Sequence, residues 1–229
     1  MPDVPSTRLV YDALLITSLD DAYKPATGPR VTGLGIGAAL LAELVLSQHL
    51  TVWAAKGVDR VCIDPMGGTG EGYRPPDDSL ALWLVEHVRA EHASLPVRDW
   101  LDFLSASDVY TKTAEHMAML GFMVRREYRS RWRQRVEVGY EPSDPLIANA
   151  VFSRLRRHLS LSEGSISVED AFLLALTEAV GLSKPLYHQL PSGARVYAGK
   201  RRQALPAALR AVLAHLAASV ADIAITGGR

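Results

Sequence analysis

Apolar residues recur at helical spacing in the first part of the chain. Residues 7–18 read "TRLVYDALLITS", and the turn-rich run "LDDAYKPATGPR" follows them, which predicts a first helix. Residues 33–50 read "GLGIGAALLAELVLSQHL", are apolar on nearly all sides and carry a charge only at Glu43. A pattern of this kind predicts a helix buried centrally among others.

Amphipathic segments predict further helices along the rest of the chain. Residues 77–92 begin with cap-type residues, and 97–106, "VRDWLDFLSA", predicts a short helix. Ser107 and Asp108 can cap a third segment, which Gly121 closes. Later helices are predicted at about 145–159, 168–181 and 203–222, the second of them opened by Ser167 with Asp170 three residues on.

Two parts of the chain have the pattern of β structure. The runs "LTVWAA" and "RVCID" surround Lys56-Gly57 and predict a small hairpin. The stretch Arg125–Val138, "RREYRSRWRQRVEV", holds six arginines within eleven residues. Its arginines at 129, 131, 133 and 135 alternate with Ser, Trp, Gln and Val. This is a strand period, so we expect one strand with the four guanidinium groups on one face, at intervals of roughly 6.6 Å.

These elements together predict a mainly α fold. The expected architecture is a single helical domain over residues 1–229, with a buried central helix, surrounding amphipathic helices and one or two small β-hairpins. No internal repeat and no low-complexity linker divides the chain.

Charge makes the arginine strand a local feature. The chain has 25 Lys and Arg against 25 Asp and Glu, a net charge of zero. The strand is therefore a basic patch on a balanced molecule, which counts against nucleic acid as a partner. Two interpretations stay open: charge that protects a sheet edge from pairing, or a docking surface for anions such as phosphates, lipid headgroups or an acidic protein.

The sequence also indicates the cellular compartment of the protein. The single Cys62 excludes an intramolecular disulfide, and its apolar surroundings predict a buried, inert thiol in a reducing compartment. The N-terminus has no signal-peptide pattern, and no window has the eighteen or so uncharged apolar residues that span a bilayer. We therefore expect a cytoplasmic protein whose membrane contact, if it has one, is peripheral at the inner face.

No motif in the sequence proposes catalysis. The glycine-rich loop at 66–76 lacks the ending of a P-loop, and His87 and His92 lie about 140° apart around a helix. The pair Asp20-Asp21 fits a turn better than acid–base chemistry. The expectation is a non-enzymatic protein without metal or cofactor.

Six stretches, taken in order, resemble the Golgi phosphoprotein 3 family, over roughly residues 8–185. They are "ALLITSLDD", "GAALLAELVLSQHL", "VRDWLDFLSA", "MLGFMVRREYR", "DPLIANAVFSRLRRHL" and "DAFLLALTEAVGLSKPLY". The resemblance implies a mainly α fold with a central buried helix and a projecting β-hairpin used in self-association. Its best-known eukaryotic members bind phosphatidylinositol 4-phosphate and act as adaptors that retain glycosyltransferases.

By this resemblance the chain is expected to be a non-catalytic peripheral adaptor that binds anionic phospholipid, forms a homo-oligomer and carries a protein cargo. The family's pocket arginine falls at about Gly37, its two further basic residues fall near Ser107 and Tyr110, and its loop tryptophan has no counterpart. The expected headgroup ligands are therefore the remaining basic residues: Arg30, Lys112, Arg125, Arg126, Arg129, Arg131, Arg133 and Arg135. The alternatives are a cytosolic homo-oligomeric scaffold whose hairpin serves self-association, or a binder of an anionic small molecule.

Overall fold

Helix α2 (Pro29–Leu46) is the centre of the molecule. The computed structural model describes residues 8–17, 27–63, 74–129 and 136–226. Twelve residues of α2 are buried, and it packs against α1 (Leu9–Thr17), whose residues are all buried. Both helices, and the central position of the second, are confirmed. The predicted turn residues Asp20 and Asp21 lie outside the described residues.

Two glycines of α2 let one neighbouring helix approach it closely. A Cβ atom placed on Gly37 would lie 3.0 Å from the Cβ of Leu104, and one on Gly33 would lie 3.0 Å from the Oγ of Ser105. Both neighbours belong to α4 (Val97–Ala106), so the absence of side chains at these two positions sets the distance between α2 and α4.

The middle of the chain forms the three predicted helices: α3 (Ser79–Ala90), α4 and α5 (Val109–Met119). Asp78 caps α3 by accepting from the amides of Leu80 and Ala81, each at 2.9 Å. Asp108 caps α5, and Gly121 ends that segment with a φ of 82°.

A three-stranded antiparallel sheet contains the first predicted hairpin. Strands β1 (Leu50–Ala55) and β2 (Val58–Ile63) pair through a turn at Lys56 and Gly57, which have φ of 51° and 77°, and β2 also pairs with β3 (Leu95–Pro96). Two positive φ angles in a two-residue turn are typical of a type I′ hairpin. Cys62 on β2 is half-buried rather than buried, because its neighbour Val61 is the residue that faces the core and adjacent residues of a strand point to opposite faces. Most of the glycine-rich loop, up to residue 73, lies outside the described part of the chain.

The arginine-rich stretch is a hairpin of two strands. Strand β4 (Met123–Arg129) pairs in antiparallel register with β5 (Val136–Pro142), and Arg129 faces Val136. The chain therefore reverses between these two residues, and the prediction of one continuous strand over 125–138 is wrong. Alternation over a few residues is compatible with a strand but does not determine where the chain turns. The family's hairpin is present at this place, as the resemblance implies.

Five helices complete the fold: α6 (Pro145–Leu161), α7 (Val168–Ala179), α8 (Ser183–Tyr187), α9 (Gly193–Gln203) and α10 (Ala207–Thr226). The helices predicted at 145–159 and 168–181 are confirmed, as is the Ser167 cap, whose hydroxyl accepts from the Asp170 amide at 3.0 Å. The predicted helix at 203–222 is displaced, because Pro206 cannot donate a backbone bond and separates α9 from α10.

One hydrophobic core extends from Leu9 to Leu216 along the sequence. Helices α2 and α10 are each long and apolar enough to cross a membrane by length and composition alone. Two thirds of α2 is buried inside the protein, as in the core helix of a soluble domain. Helix α10 packs on α2, α4 and α7 through Leu209, Val212 and Leu216. The fold is the predicted mainly α arrangement around a buried helix with two small antiparallel sheets.

Candidate functional site

Among the described residues, the base of the arginine-rich hairpin is the part that is buried against the body. Met123 and Tyr140 are buried there, whereas Val124, Arg125, Arg126, Glu127 and Val138 are exposed. The Tyr140 hydroxyl donates to Glu115 of α5 at 3.2 Å, and burial together with this bond raises the pKa of Tyr140. The strands thus extend away from a buried anchor.

Carboxylates neutralise the arginines near the base. Arg125 lies 3.6 Å from Glu127 on one face, and Arg126 lies 3.3 Å from Glu141 on the other. Because neighbouring residues of a strand point to opposite faces, these two arginines do not form a common site. Arg125, Arg126 and Glu127 are exposed and Glu141 is half-buried, so each pair contributes little to stability.

The other hairpin arginines are at positions 129, 131, 133 and 135 of the sequence. The backbone of Arg129 closes β4, and Arg131, Arg133 and Arg135 lie in the segment 130–135, outside the described residues. That segment reads "SRWRQR", with three arginines and no acidic residue. In the sequence it connects Arg129 with Val136, the described strand ends that are farthest from the base, and it carries three positive charges and no negative charge.

Arg30 lines a cleft of about 550 Å³ between α2, α4 and α5. The Arg30 guanidinium lies 3.9 Å from Asp102, and the Ser105 hydroxyl donates to the backbone carbonyl oxygen of Arg30 at 3.1 Å. Asp108 and Tyr110 complete the polar wall. The lining therefore holds two carboxylates against one guanidinium, a balance that disfavours anions.

Other residue types occupy the positions at which the resemblance puts the family's basic pocket residues. Gly37 is buried against Leu104 and has no room for an arginine side chain. Lys112 lies just beyond the cleft, where its ammonium group donates to the Ser107 carbonyl at 2.8 Å and lies 5.6 Å from the ring of Trp83. This lysine thus places a positive charge beside Ser107, near which the resemblance puts a basic residue of the family.

The predicted ligands fall into two groups. Arg30 and Lys112 lie at the N-terminal end of α5, whereas Arg125 and Arg126 follow its C-terminal end. An eleven-residue helix is about 16 Å long. The structure therefore brings the cleft residues together, but separates them from the hairpin by the length of a helix.

A cluster of charged side chains, which sequence reasoning missed, joins α1, α2, α3 and α5. Arg8 forms ion pairs with Asp78 and, at 2.5 Å, with Glu43. His116 lies 3.3 Å from Asp78, and the Tyr11 hydroxyl donates to the same carboxylate at 3.4 Å. These groups line a wide cleft of about 870 Å³.

The ionisation of this cluster follows from its geometry. Burial would lower the pKa of Arg8, but its hydrogen bond to Asp78 and the charge of Glu43 outweigh burial and raise it. Burial raises the pKa of Tyr11 to about 12. Burial would raise the pKa of Asp78, yet Arg8 and the Ala81 amide lower it. The cluster is thus a fixed ion pair network with a neutral phenol.

The side chains of Ser79, His116 and Asp78 lie next to one another in this cluster, in the order serine, histidine, aspartate. The Ser79 hydroxyl lies 3.3 Å from Nδ1 of His116, whose Nε2 faces Asp78. Asp78 is already engaged by Arg8 and by two backbone amides at the start of α3. A carboxylate neutralised in this way cannot strongly support an imidazolium, so the arrangement fits a structural junction better than a nucleophilic site.

A second buried network connects α1, α6 and α7. Arg154 lies 2.7 Å from Asp12 and 2.9 Å from Asp170, and His158 lies 3.2 Å from Asp170. Burial raises the pKa of Asp12, opposed by Arg154. Asp12 in this network and Glu43 in the Arg8 cluster are single charged residues inside apolar helical runs. A charge in such a place needs a buried partner, and this is the signal in the sequence for the two networks.

Within residues 8–17, 27–63, 74–129 and 136–226, no group of three or more His, Cys, Asp or Glu side chains could hold a metal ion.

Among curated proteins no match is found. The family model described as Golgi phosphoprotein 3 (GPP34) matches residues 9–223, nearly the whole chain. The match includes the central helix, the cleft at Arg30 and the hairpin, and on this match the chain belongs to the Golgi phosphoprotein 3 family.

Proposed function

We propose that this protein is a non-catalytic peripheral adaptor that binds the anionic inner face of a membrane through the far end of its hairpin. The family match supports a Golgi phosphoprotein 3-like role, and the charge distribution supports the binding surface. On this proposal the body carries a protein cargo while the hairpin carries the membrane contact, and the protein acts at the cytoplasmic side.

The observation that carries the proposal is the separation of charge along the hairpin. Near the base, Arg125 and Arg126 are balanced by Glu127 and Glu141. Beyond Arg129 the segment 130–135 contributes three arginines, a tryptophan and no acid. Juxtamembrane basic residues are attracted to anionic lipid, and tryptophan favours the headgroup level of a bilayer.

The cleft at Arg30 has a smaller part in this proposal. Its lining is net negative, and Gly37 leaves no space for the arginine that the family places there. A cleft of this charge does not favour a phosphorylated inositol headgroup. We therefore propose selection of the membrane by its anionic charge rather than by one headgroup, with Arg30 and Lys112 as secondary contacts.

Flotation with liposomes tests the proposal. The double variant Arg131→Glu and Arg133→Glu is expected to lose flotation with vesicles containing phosphatidylserine, because it converts two attractive charges into repulsive ones. The matched control is Arg157→Glu with Lys184→Glu, two exposed basic residues on α6 and α8, which should float like the wild type. If the hairpin variant floats as well as its control, the membrane proposal is wrong.

A second candidate function is a cytosolic scaffold that self-associates through the hairpin. The observation in its favour is that β4 and β5 pair only with each other among the described strands, which leaves both outer edges open. On this view the wild type ignores anionic vesicles even at low salt, and the hairpin variant changes the oligomeric mass instead.

A further inference from the structure

A third cleft lies between α7, α9 and α10, with a volume of about 480 Å³. Mostly small side chains line its walls: Ala175 and Ala179 on α7, and Ala214 and Ala217 on α10 together with Leu213. Four methyl side chains leave open a space that larger residues would fill. This volume lies within the range of small-molecule sites.

Four polar side chains also line this cleft. Arg202 and Gln203 come from the end of α9, Arg210 from α10 and Glu178 from α7. Glu178 lies 3.6 Å from the Nη1 of Arg202 and accepts a hydrogen bond from the Tyr187 hydroxyl. The charge of Glu178 is thus offset by Arg202.

Arg210 leaves the cleft with a surplus positive charge. No ion pair in the described part of the chain involves Arg210, which is exposed in the first turn of α10. Burial and the bond to Glu178 raise the pKa of Tyr187, so its phenol stays neutral and adds no negative charge. Two guanidinium groups therefore face one carboxylate beside an apolar space.

We infer that this cleft binds a single-chain amphipathic anion. The chain lies against the alanines and Leu213, and the head, a phosphate or a carboxylate, lies between Arg202 and Arg210. Guanidinium groups suit both heads because they donate two parallel hydrogen bonds to planar or tetrahedral oxyanions. The hairpin base rests on α5 and α6, neither of which lines this cleft, so the site is independent of the proposed membrane contact.

Calorimetry with soluble amphiphiles, below their micelle concentration, tests the inference. Dodecyl phosphate or dodecanoate should bind saturably, and the tighter of the two identifies the head. Shortening the chain should weaken binding by about fourfold per methylene, the loss expected when apolar surface is no longer buried. Equal binding of dodecyltrimethylammonium, or no binding of either anion, would overturn the inference. So would inorganic phosphate binding as tightly as dodecyl phosphate.

Two pairs of variants locate the ligand. Ala217→Trp should block the chain space and abolish binding, whereas Ala218→Trp, equally exposed on α10 but outside the lining, should bind like the wild type. Arg210→Gln should weaken binding by about tenfold, the usual effect of losing a charged hydrogen bond. Arg157→Gln, an exposed arginine on α6, is its control. If Ala217→Trp and Arg210→Gln bind like their controls, the amphiphile lies elsewhere and the inference is wrong.

Discussion

Arg8 shows how much a single buried charge can stabilise this fold. It lies between Glu43 and Asp78 with 19% of its side chain exposed, and it connects three helices. Arg8→Met should lower the free energy of unfolding by about 3 kcal/mol, because it leaves two half-buried carboxylates without their cation. Urea unfolding measures the loss.

Arg98 provides the control for this prediction. Its ion pair with Asp222, at 2.5 Å, is half exposed on both sides, so Arg98→Met should cost less than about 1 kcal/mol. Equal losses in the two variants would mean that the Arg8 network is no stronger than a surface pair.

The same network makes stability depend on pH. The pKa of Asp78 is lowered in the folded protein, against about 3.9 in an unfolded chain. Its contribution is therefore present above pH 4 or so and is lost as the pH falls through the folded value. Asp78→Asn keeps the cap oxygen but removes the charge. We expect its stability deficit to be largest near neutral pH and to shrink near about pH 3. A deficit in urea unfolding that does not change with pH would contradict this assignment.

At the scale of elements, the packing of α2 on α4 depends on glycine. Gly37→Ala should destabilise the protein by about 1–3 kcal/mol, since the added Cβ meets Leu104 at 3.0 Å in a filled core. Gly199→Ala in α9 is the matched control: no heavy atom lies within 4 Å of its added Cβ, so it should stabilise by about 0.5–1 kcal/mol. Thermal unfolding compares the two. Stabilisation by Gly37→Ala would show that α2 and α4 can separate at little cost.

How far the sequence predicts an element depends on how much apolar surface the element buries. The buried helices α1 and α2 were predicted because their hydrophobic runs are long. Helix α9 was missed: it buries only Ala194, Tyr197 and Ala198, and glycines and basic residues obscure its period. Contacts between residues distant in sequence could not be predicted, because neither the Arg8 network nor the cleft at Arg210 produces a local sequence pattern. The hairpin was recognised as a family feature, but its turn was not, since arginines alternate through it.

At the scale of the whole molecule, we expect self-association through the hairpin. Its open strand edges are stabilised when another strand pairs with them, and a second copy supplies such a strand. Light scattering at tens of micromolar protein in moderate salt should give more than the 24.9 kDa of one chain. A strictly monomeric mass there would contradict the prediction.

Membrane binding by the hairpin should require that oligomer. Each basic residue near an anionic surface contributes about 1 kcal/mol, so the arginines at 129, 131, 133 and 135 contribute roughly 4 kcal/mol. That energy corresponds to a dissociation constant on the order of millimolar, too weak to hold one copy at a membrane. Two hairpins presented together make the second contact intramolecular and can raise avidity by about 10² to 10⁴.

Dilution tests the contribution of the oligomer to membrane binding, and added salt tests the contribution of charge. The fraction of wild-type protein that floats with anionic vesicles should fall over the same concentration range in which light scattering shows the oligomer dissociating. At fixed concentration it should also fall steeply as salt rises from about 0.1 M, where charges are screened over about 10 Å, towards about 1 M, where they are screened over about 3 Å. Neutral vesicles are the control and should bind no protein at any salt. If the protein still floats fully where it is monomeric, one copy binds with more than the charge of its four arginines, and the requirement for the oligomer is wrong.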